Sequence, residues 1–287
     1  MARSITKKTT RENLAIKQTF SGIQGSALYQ KVCYLFGHLF PSELACLYLF
    51  TFGVFRKKSR ALIYTIWLLV CPQLFKKRFV PSVAITSLVS NTVSLRLYEQ
   101  AMAPGNVTFE ELFVLVELLQ TFQPTSCFEI GTFDGRTTLN MAANTSDNAV
   151  IYTLDLPREQ IGSTMFPLNP ADLGVVEKET SGTRFRGTVW EHKIQQLYGD
   201  SATFDYTPYQ GNIDFVFVDG SHTYDYALSD SRKAITLLRN GKGVILWHDY
   251  PVSPSVLKVI NYLQASDPRF ANIRYIKDTT FACLICG

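Results

Sequence analysis

The sequence predicts an α/β protein built on an open, doubly wound, mostly parallel sheet. From Thr108 to the C-terminus, short apolar runs alternate with segments of helical periodicity, the pattern of a parallel sheet covered by helices on both faces. The last two runs, Asn272–Lys277 and Phe281–Ile285, are separated only by Asp278-Thr279-Thr280, so a hairpin adds an antiparallel element at one edge. Each of the first five strands is followed by an acidic residue, and sheets of this kind hold their ligands at the carboxyl ends of the strands, near the switch point.

The elements follow in order. Thr108 with Glu111 is a capping-box pattern that opens a helix over Phe109–Phe122, ended by Pro124. Ser126–Ile130 reads as a strand, Arg136–Asn144 as a helix and Ala149–Leu154 as a strand. Leu156–Lys193 is a connection of about 38 residues, far longer than usual, with Phe166, Arg184, Arg186 and Trp190 among Gly, Ser and Pro. At the ligand end of a sheet such a loop reads as a lid or an acceptor-binding segment. Ile194–Tyr198 and Ile213–Val218 are strands, the second with one aspartate inside it. A helix over Tyr224–Arg239 ends at Asn240-Gly241, followed by a strand over Gly243–Trp247 and a helix over Ser255–Ala265.

The chain divides into residues 1–105 and 106–287. The first part carries 14 Lys+Arg against 3 Asp+Glu, a net of +11; the second carries 14 against 21, a net of −7. A basic appendage on an acidic globule argues against one nucleic-acid-binding surface. With 46% hydrophobic and 18% charged residues the chain is neither disordered nor a polytopic membrane protein. Met1–Gly25 is polar and basic and reads as a leader without the core of a secretory signal. In Val32–Phe79, the apolar runs Leu44–Phe55 and Ala61–Cys71 alternate with Arg56-Lys57-Lys58-Ser59-Arg60 and Lys76-Lys77-Arg78. Each run is shorter than the ~20 residues of a spanning helix. Three readings stay open: an interfacial helical hairpin on anionic lipid, a dimerisation arm, and a spanning segment. The expected location is cytoplasmic, peripheral at the inner membrane surface. Six cysteines show no disulfide framework, and Cys283 and Cys286, three apart on a strand, face opposite sides and read as small buried apolar residues.

The strand ends carry the functional signal. They read Glu129-Ile130-Gly131-Thr132-Phe133-Asp134-Gly135-Arg136, then Asp155, Gly199-Asp200-Ser201, Asp219-Gly220-Ser221-His222 and His248-Asp249-Tyr250. Gly131 and Gly135 permit a tight strand-to-helix turn and close approach of a ligand. Their G-x-x-x-G spacing is not that of dinucleotide enzymes, and Glu129 and Asp134 would repel a pyrophosphate. A cofactor with a positive centre and no phosphate fits those charges better. Asp155 lies 24 positions after Gly131, close to the ~20 expected of an acid that bonds ribose hydroxyls.

The segment Phe128–Thr138 resembles motif I of the class I S-adenosylmethionine-dependent methyltransferases. The later strand ends fall in the order of that family's other motifs, most nearly those of the bacterial small-molecule and sugar O-methyltransferases. The resemblance covers Asn106 to the C-terminus and implies a Rossmann-like domain. It further implies that Glu129, Gly131 and Gly135, with Thr132 beside them, cradle the methionine part of the cofactor. Asp155 would bind the ribose, Asp200 and Ser201 the adenine, and Asp219 completes the cofactor set.

A hydroxyl acceptor must lose a proton as it is methylated. Asp219 and Asp249 end neighbouring strands and are close enough to share a divalent cation, which would acidify a bound hydroxyl. Asp219, His222 and Asp249 are the expected catalytic residues, with His222 as general base or metal ligand. His248 joins Asp219 and Asp249 as a candidate metal set for Mg²⁺ or Mn²⁺. Against that, alternation along a strand points His248 away from Asp249. The expected activity is S-adenosylmethionine-dependent methylation of a hydroxyl of a small molecule or glycan, with homodimerisation and peripheral membrane contact open. The rivals are an NAD(P)-dependent oxidoreductase and a non-catalytic cofactor-binding assembly protein.

Overall fold

The computed structural model describes residues 80–89, 94–170 and 172–287. The leader and the basic apolar region up to Phe79, with every reading of them, lie outside the described residues. Among the described residues, no helix is long and apolar enough to cross a membrane.

Eight strands form one sheet: β1 (Ser82–Val83), β2 (Ser126–Ile130), β3 (Val150–Asp155), β4 (Ile194–Tyr198), β5 (Phe215–Val218), β6 (Gly243–Trp247), β7 (Arg274–Ile276) and β8 (Ala282–Cys286). Their order is β1-β7-β8-β6-β5-β2-β3-β4. Every pairing is parallel except those of β8 with β6 and β7. The chain leaves β2 toward β3 on one side and returns to β5 on the other, so the switch point lies at the carboxyl end of β2. The helices are α1 (Phe109–Phe122), α2 (Arg136–Ala143), α3 (Leu173–Val176), α4 (Tyr224–Leu237) and α5 (Pro254–Ser266).

Period-two alternation divides the core between the two faces of the sheet. Phe128, Ile130, Val216, Val218, Ile245 and Trp247 pack with Ala234, Leu237, Val259 and Ile260 of α4 and α5. Cys127, Ile151, Phe215, Phe217, Val244 and Leu246 pack with Leu112, Leu115 and Leu119 of α1 and Met141 of α2. Cys283 belongs to the second layer and Cys286 packs on the first, as their spacing requires.

The expected sheet and hairpin are present, with three differences. First, β5 starts at Phe215. Asp214, the aspartate inside the expected strand, sits at its mouth, where Oδ2 accepts the Thr125 and Ser126 N–H groups at 2.9 and 3.0 Å and Oδ1 pairs with Arg239 Nε at 2.5 Å. Second, the two-residue β1 extends the sheet beyond β7, too short to show a periodic pattern.

Third, residues 94–107, most of which the sequence groups with the basic appendage, pack on α2. Asn140 and Asn144, one helical turn apart, each grip a backbone unit. Asn140 accepts from Tyr98 N at 2.8 Å and donates to Tyr98 O at 3.0 Å, and Asn144 does the same at Arg96 at 3.0 and 2.6 Å. Arg136 adds bonds from Nε to Glu99 O and from Nη1 to Val107 O.

The end of α2 has its own cap. Buried Lys193 donates to Ala142 O at 2.5 Å, Thr145 O at 3.0 Å and Thr145 Oγ1 at 3.2 Å, placing a cation on carbonyls at the negative end of the helix. Lys193→Met is expected to lower stability by about 1–3 kcal/mol in urea unfolding, because it removes a charged donor from both carbonyls and leaves Ala142 O with only the Thr145 hydroxyl.

Candidate active site

The carboxyl ends of β2 to β6 open into one cavity of about 320 Å³. Its floor is the turn after β2. Gly131 has φ +101°, and its N–H donates to Leu154 O at 2.8 Å, which pins the turn to β3. Thr132 lines the cavity, its hydroxyl 2.6 Å from that of Thr153. Leu154 and Asp155 from β3, Gly199, Asp200 and Ser201 after β4, and Asp219 to His222 after β5 form the walls, with His248 and Asp249 after β6. The long segment between β3 and β4 closes the top through Leu168, Asp172, Val175, Val176 and Lys178. It contains 3₁₀ turns and α3 rather than unbroken loop.

Two members of the expected cofactor set stand off the cavity wall. Glu129 is fully buried beneath the turn, where its Oε2 accepts the hydroxyls of Thr138 and, at 2.5 Å, Thr153. Burial pushes its carboxyl up to about 8 against the opposing effect of those bonds, which favours the neutral form of a group that braces the turn from below. Gly135, φ +83°, begins α2 and faces the long segment. A Cβ there would lie 2.6 Å from Phe185 Cδ1 and 2.7 Å from Gly182 Cα. Its smallness serves packing of that segment.

Asp155 and Asp200 occupy the walls as expected, and each is met by the closing segment. Lys178 Nζ lies 2.8 Å from Asp155 Oδ2, and Met165 N donates to Asp200 Oδ2 at 2.7 Å. Asp134 accepts from Asn106 Nδ2 at 3.1 Å and from Arg184 Nε at 2.8 Å, which ties the cavity rim to the same segment.

At the other end the acids of β5 and β6 converge. Asp219, His222 and Asp249 each offer a ligand atom within 4.8 Å of the others. His222 replaces His248 in this group of three. His248 lies behind it, with Nδ1 3.1 Å from Asp219 Oδ1 and Nε2 3.3 Å from Glu111 Oε2. Strand alternation would have separated His248 from Asp249. Asp249, however, adopts a left-handed φ of +58° just past the end of β6, and the two side chains turn to the same side.

The charges interlock. Burial would lower the pKa of His222, but hydrogen bonds to Asp172 and Asp249, with the charge of Asp219, raise it to about 10. His248 is likewise raised against its burial by Asp219, Asp249 and Glu111. Asp249 is lowered by both histidines despite burial. With a carboxylate against each ring nitrogen, the protonated form of His222 is favoured here, which opposes a general-base role as long as no cation takes the place of a proton.

Two participants escaped the sequence reading. Glu111 caps α1 as expected, accepting from Thr108 N at 2.9 Å, yet the same carboxyl reaches His248 and accepts the Thr280 N–H at 2.7 Å. Asp172 arrives from the long segment, where no spacing marks it.

Residues 128–250 match the family model described as a methyltransferase domain. No curated protein matches the sequence. Similar solved structures include the O-methyltransferase TomG from Streptomyces achromogenes, involved in tomaymycin synthesis, in complex with S-adenosylmethionine. It shares 17% identity over 63% of this chain and 82% of that one, with a TM-score of 0.45. A Podospora anserina methyltransferase bound to S-adenosylhomocysteine shares 16% over 62% and 78%, with a TM-score of 0.44. An O-methyltransferase from Bacillus cereus in complex with S-adenosylhomocysteine shares 16% over 64% and 83%, with a TM-score of 0.41. These likenesses are distant. The family match takes in the strand ends that form the cavity, from the end of β2 to Tyr250, and agrees with the methyltransferase motif expected over Phe128–Thr138.

Proposed function

We propose that the protein transfers the methyl group of S-adenosylmethionine to a hydroxyl of a small molecule or glycan. The observation that carries this reading is the division of one cavity into two ends, with Asp155, Asp200 and Ser201 at one and Asp219, His222 and Asp249 at the other. The first end suits a nucleoside: carboxylates accept from ribose hydroxyls and from an amino group on a purine edge. Six carboxylates line the cavity against Lys178 and two imidazoles, a field that favours a sulfonium over an anionic cofactor.

In the transfer, the carbon–sulfur bond breaks as the carbon–oxygen bond forms, and the sulfonium becomes a neutral thioether. The protein aligns the acceptor oxygen with the methyl group and sulfur, worth several kcal/mol. The hydroxyl proton leaves to the Asp219 carboxylate, since Asp249 is held by both histidines. Asp219, His222 and Asp249 also fit a divalent cation, and the imidazole favours Mn²⁺ over Mg²⁺. Such an ion, when bound, acidifies an acceptor hydroxyl.

The test is methyl-labelled S-adenosylmethionine offered with panels of hydroxylated small molecules and glycans, in EDTA and with added Mn²⁺ or Mg²⁺. Label in an O-methyl product supports the reading. Label on nitrogen or carbon, or no transfer to any member, counts against it. The basic apolar region up to Phe79 would bring the domain to anionic lipid, and salt-sensitive co-sedimentation of the full chain with phosphatidylserine vesicles is the expected result.

A further inference from the structure

The carboxyl of Asp172 is tied at both oxygens to groups fifty residues away in sequence. Its Oδ2 accepts the His222 backbone N–H at 2.9 Å and the Ser221 hydroxyl at 3.0 Å, while Oδ1 lies 2.8 Å from His222 Nδ1. The ring's other nitrogen, Nε2, is 2.6 Å from Asp249 Oδ2. A carboxylate bonded only to an imidazole could follow the ring as it turned. One bonded also to the backbone N–H of the same residue cannot, because the turn after β5 fixes where its oxygens stand. Ring and backbone are thus clamped together, and only one ring orientation satisfies both contacts.

We propose that Asp172 is a positioning residue that holds the His222 ring with Nε2 facing Asp249 at the acceptor end of the cavity. What the oriented ring serves rests on the methyl-transfer reading; the clamp itself does not. The residue is delivered by the segment that also meets Asp155 through Lys178 and Asp200 through Met165 N. The chain closing over the nucleoside end therefore supplies the orienting group for the chemical end, a link between covering the cofactor and aligning the acceptor site.

The experiment is NMR of the ligand-free, full-length protein labelled with ¹⁵N-histidine, with the His222 ring signals assigned by their loss in His222→Ala. A ring Nδ1–H proton protected from solvent exchange is expected in the wild type. It should be lost in Asp172→Ala and shifted in Asp172→Asn, whose neutral amide oxygen accepts more weakly. It should persist in Lys178→Met, which releases the same segment at another of its attachments. Persistence of the unshifted proton in Asp172→Ala or Asp172→Asn overturns the proposal. So does its loss in Lys178→Met, which would mean that coverage by the segment, rather than Asp172, protects the ring. Absence of S-adenosylhomocysteine binding to the wild type would sink the methyl-transfer reading and leave the NMR outcome as it stands.

Discussion

Replacing Gly131 with alanine is expected to abolish binding of S-adenosylhomocysteine and to destabilise the domain by on the order of 3 kcal/mol. A Cβ at this position would lie 2.0 Å from Asp219 O and 2.7 Å from its carbonyl carbon, far inside any tolerable contact. Neither side can give way cheaply. Gly131 N is bonded to Leu154 O at 2.8 Å and Asp219 N to Ile130 O at 2.9 Å, so the ends of β2, β3 and β5 are laced together. The backbone adds to the cost, because φ +101° is a conformation that side-chain-bearing residues avoid. Relief requires prising β2 from β5, which displaces Asp219 and the cavity floor. Gly162→Ala is the control, since an added Cβ there meets nothing within 4 Å and that glycine has no positive φ. Urea unfolding and calorimetry on the two variants measure both effects.

Glu111→Ala is expected to cost on the order of 3 kcal/mol, because the Thr108 and Thr280 N–H groups lose their acceptor while His248 keeps Asp219 and Asp249 as partners. Glu111 is 2% exposed and joins the α1 cap, His248 and the Thr280 N–H through one carboxylate. Burial acts to raise its pKa, but bonds from His248, Thr280 and Thr108 N prevail and lower it to about 2. The sign of the pH dependence follows. A carboxyl depressed in the folded state stabilises above its unfolded value near 4.5, and that contribution fades as pH falls toward 2. His248 is raised, so its pairing contributes fully below about 6.5 and is lost as pH rises through its folded value. Between these limits both charges are in place. The wild type should therefore lose stability steeply between pH 4.5 and 2, and Glu111→Ala should show a flatter acid limb in urea unfolding across that range.

The sheet was legible because its strands are short apolar runs with helices between them, and because five strand ends carry acids in order. That reading placed Asp155, Asp200, Asp219, His222 and Asp249 on one cavity, as the structure has them. It could not separate wall from foundation. Glu129 and Asp155 both end strands, yet Glu129 lies on a buried face between two threonine hydroxyls. Nor could alternation foresee the left-handed turn at Asp249 that brings His248 round. Asp172 was invisible for another reason: its role depends on how a long connection folds back, and tertiary contacts set that path. Glu111 illustrates a milder failure. Local pattern identified one bond of its carboxyl correctly and hid those that reach across the fold to His248 and Thr280.

The cavity at these strand ends is expected to hold a sulfonium nucleoside and not a dinucleotide. Calorimetry of the full-length protein with S-adenosylhomocysteine and, separately, NAD tests it most directly. Saturable binding of S-adenosylhomocysteine at a single site, weakened by Asp155→Asn, is expected, with no heat of binding for NAD. Tight binding of NAD with none of S-adenosylhomocysteine would contradict it.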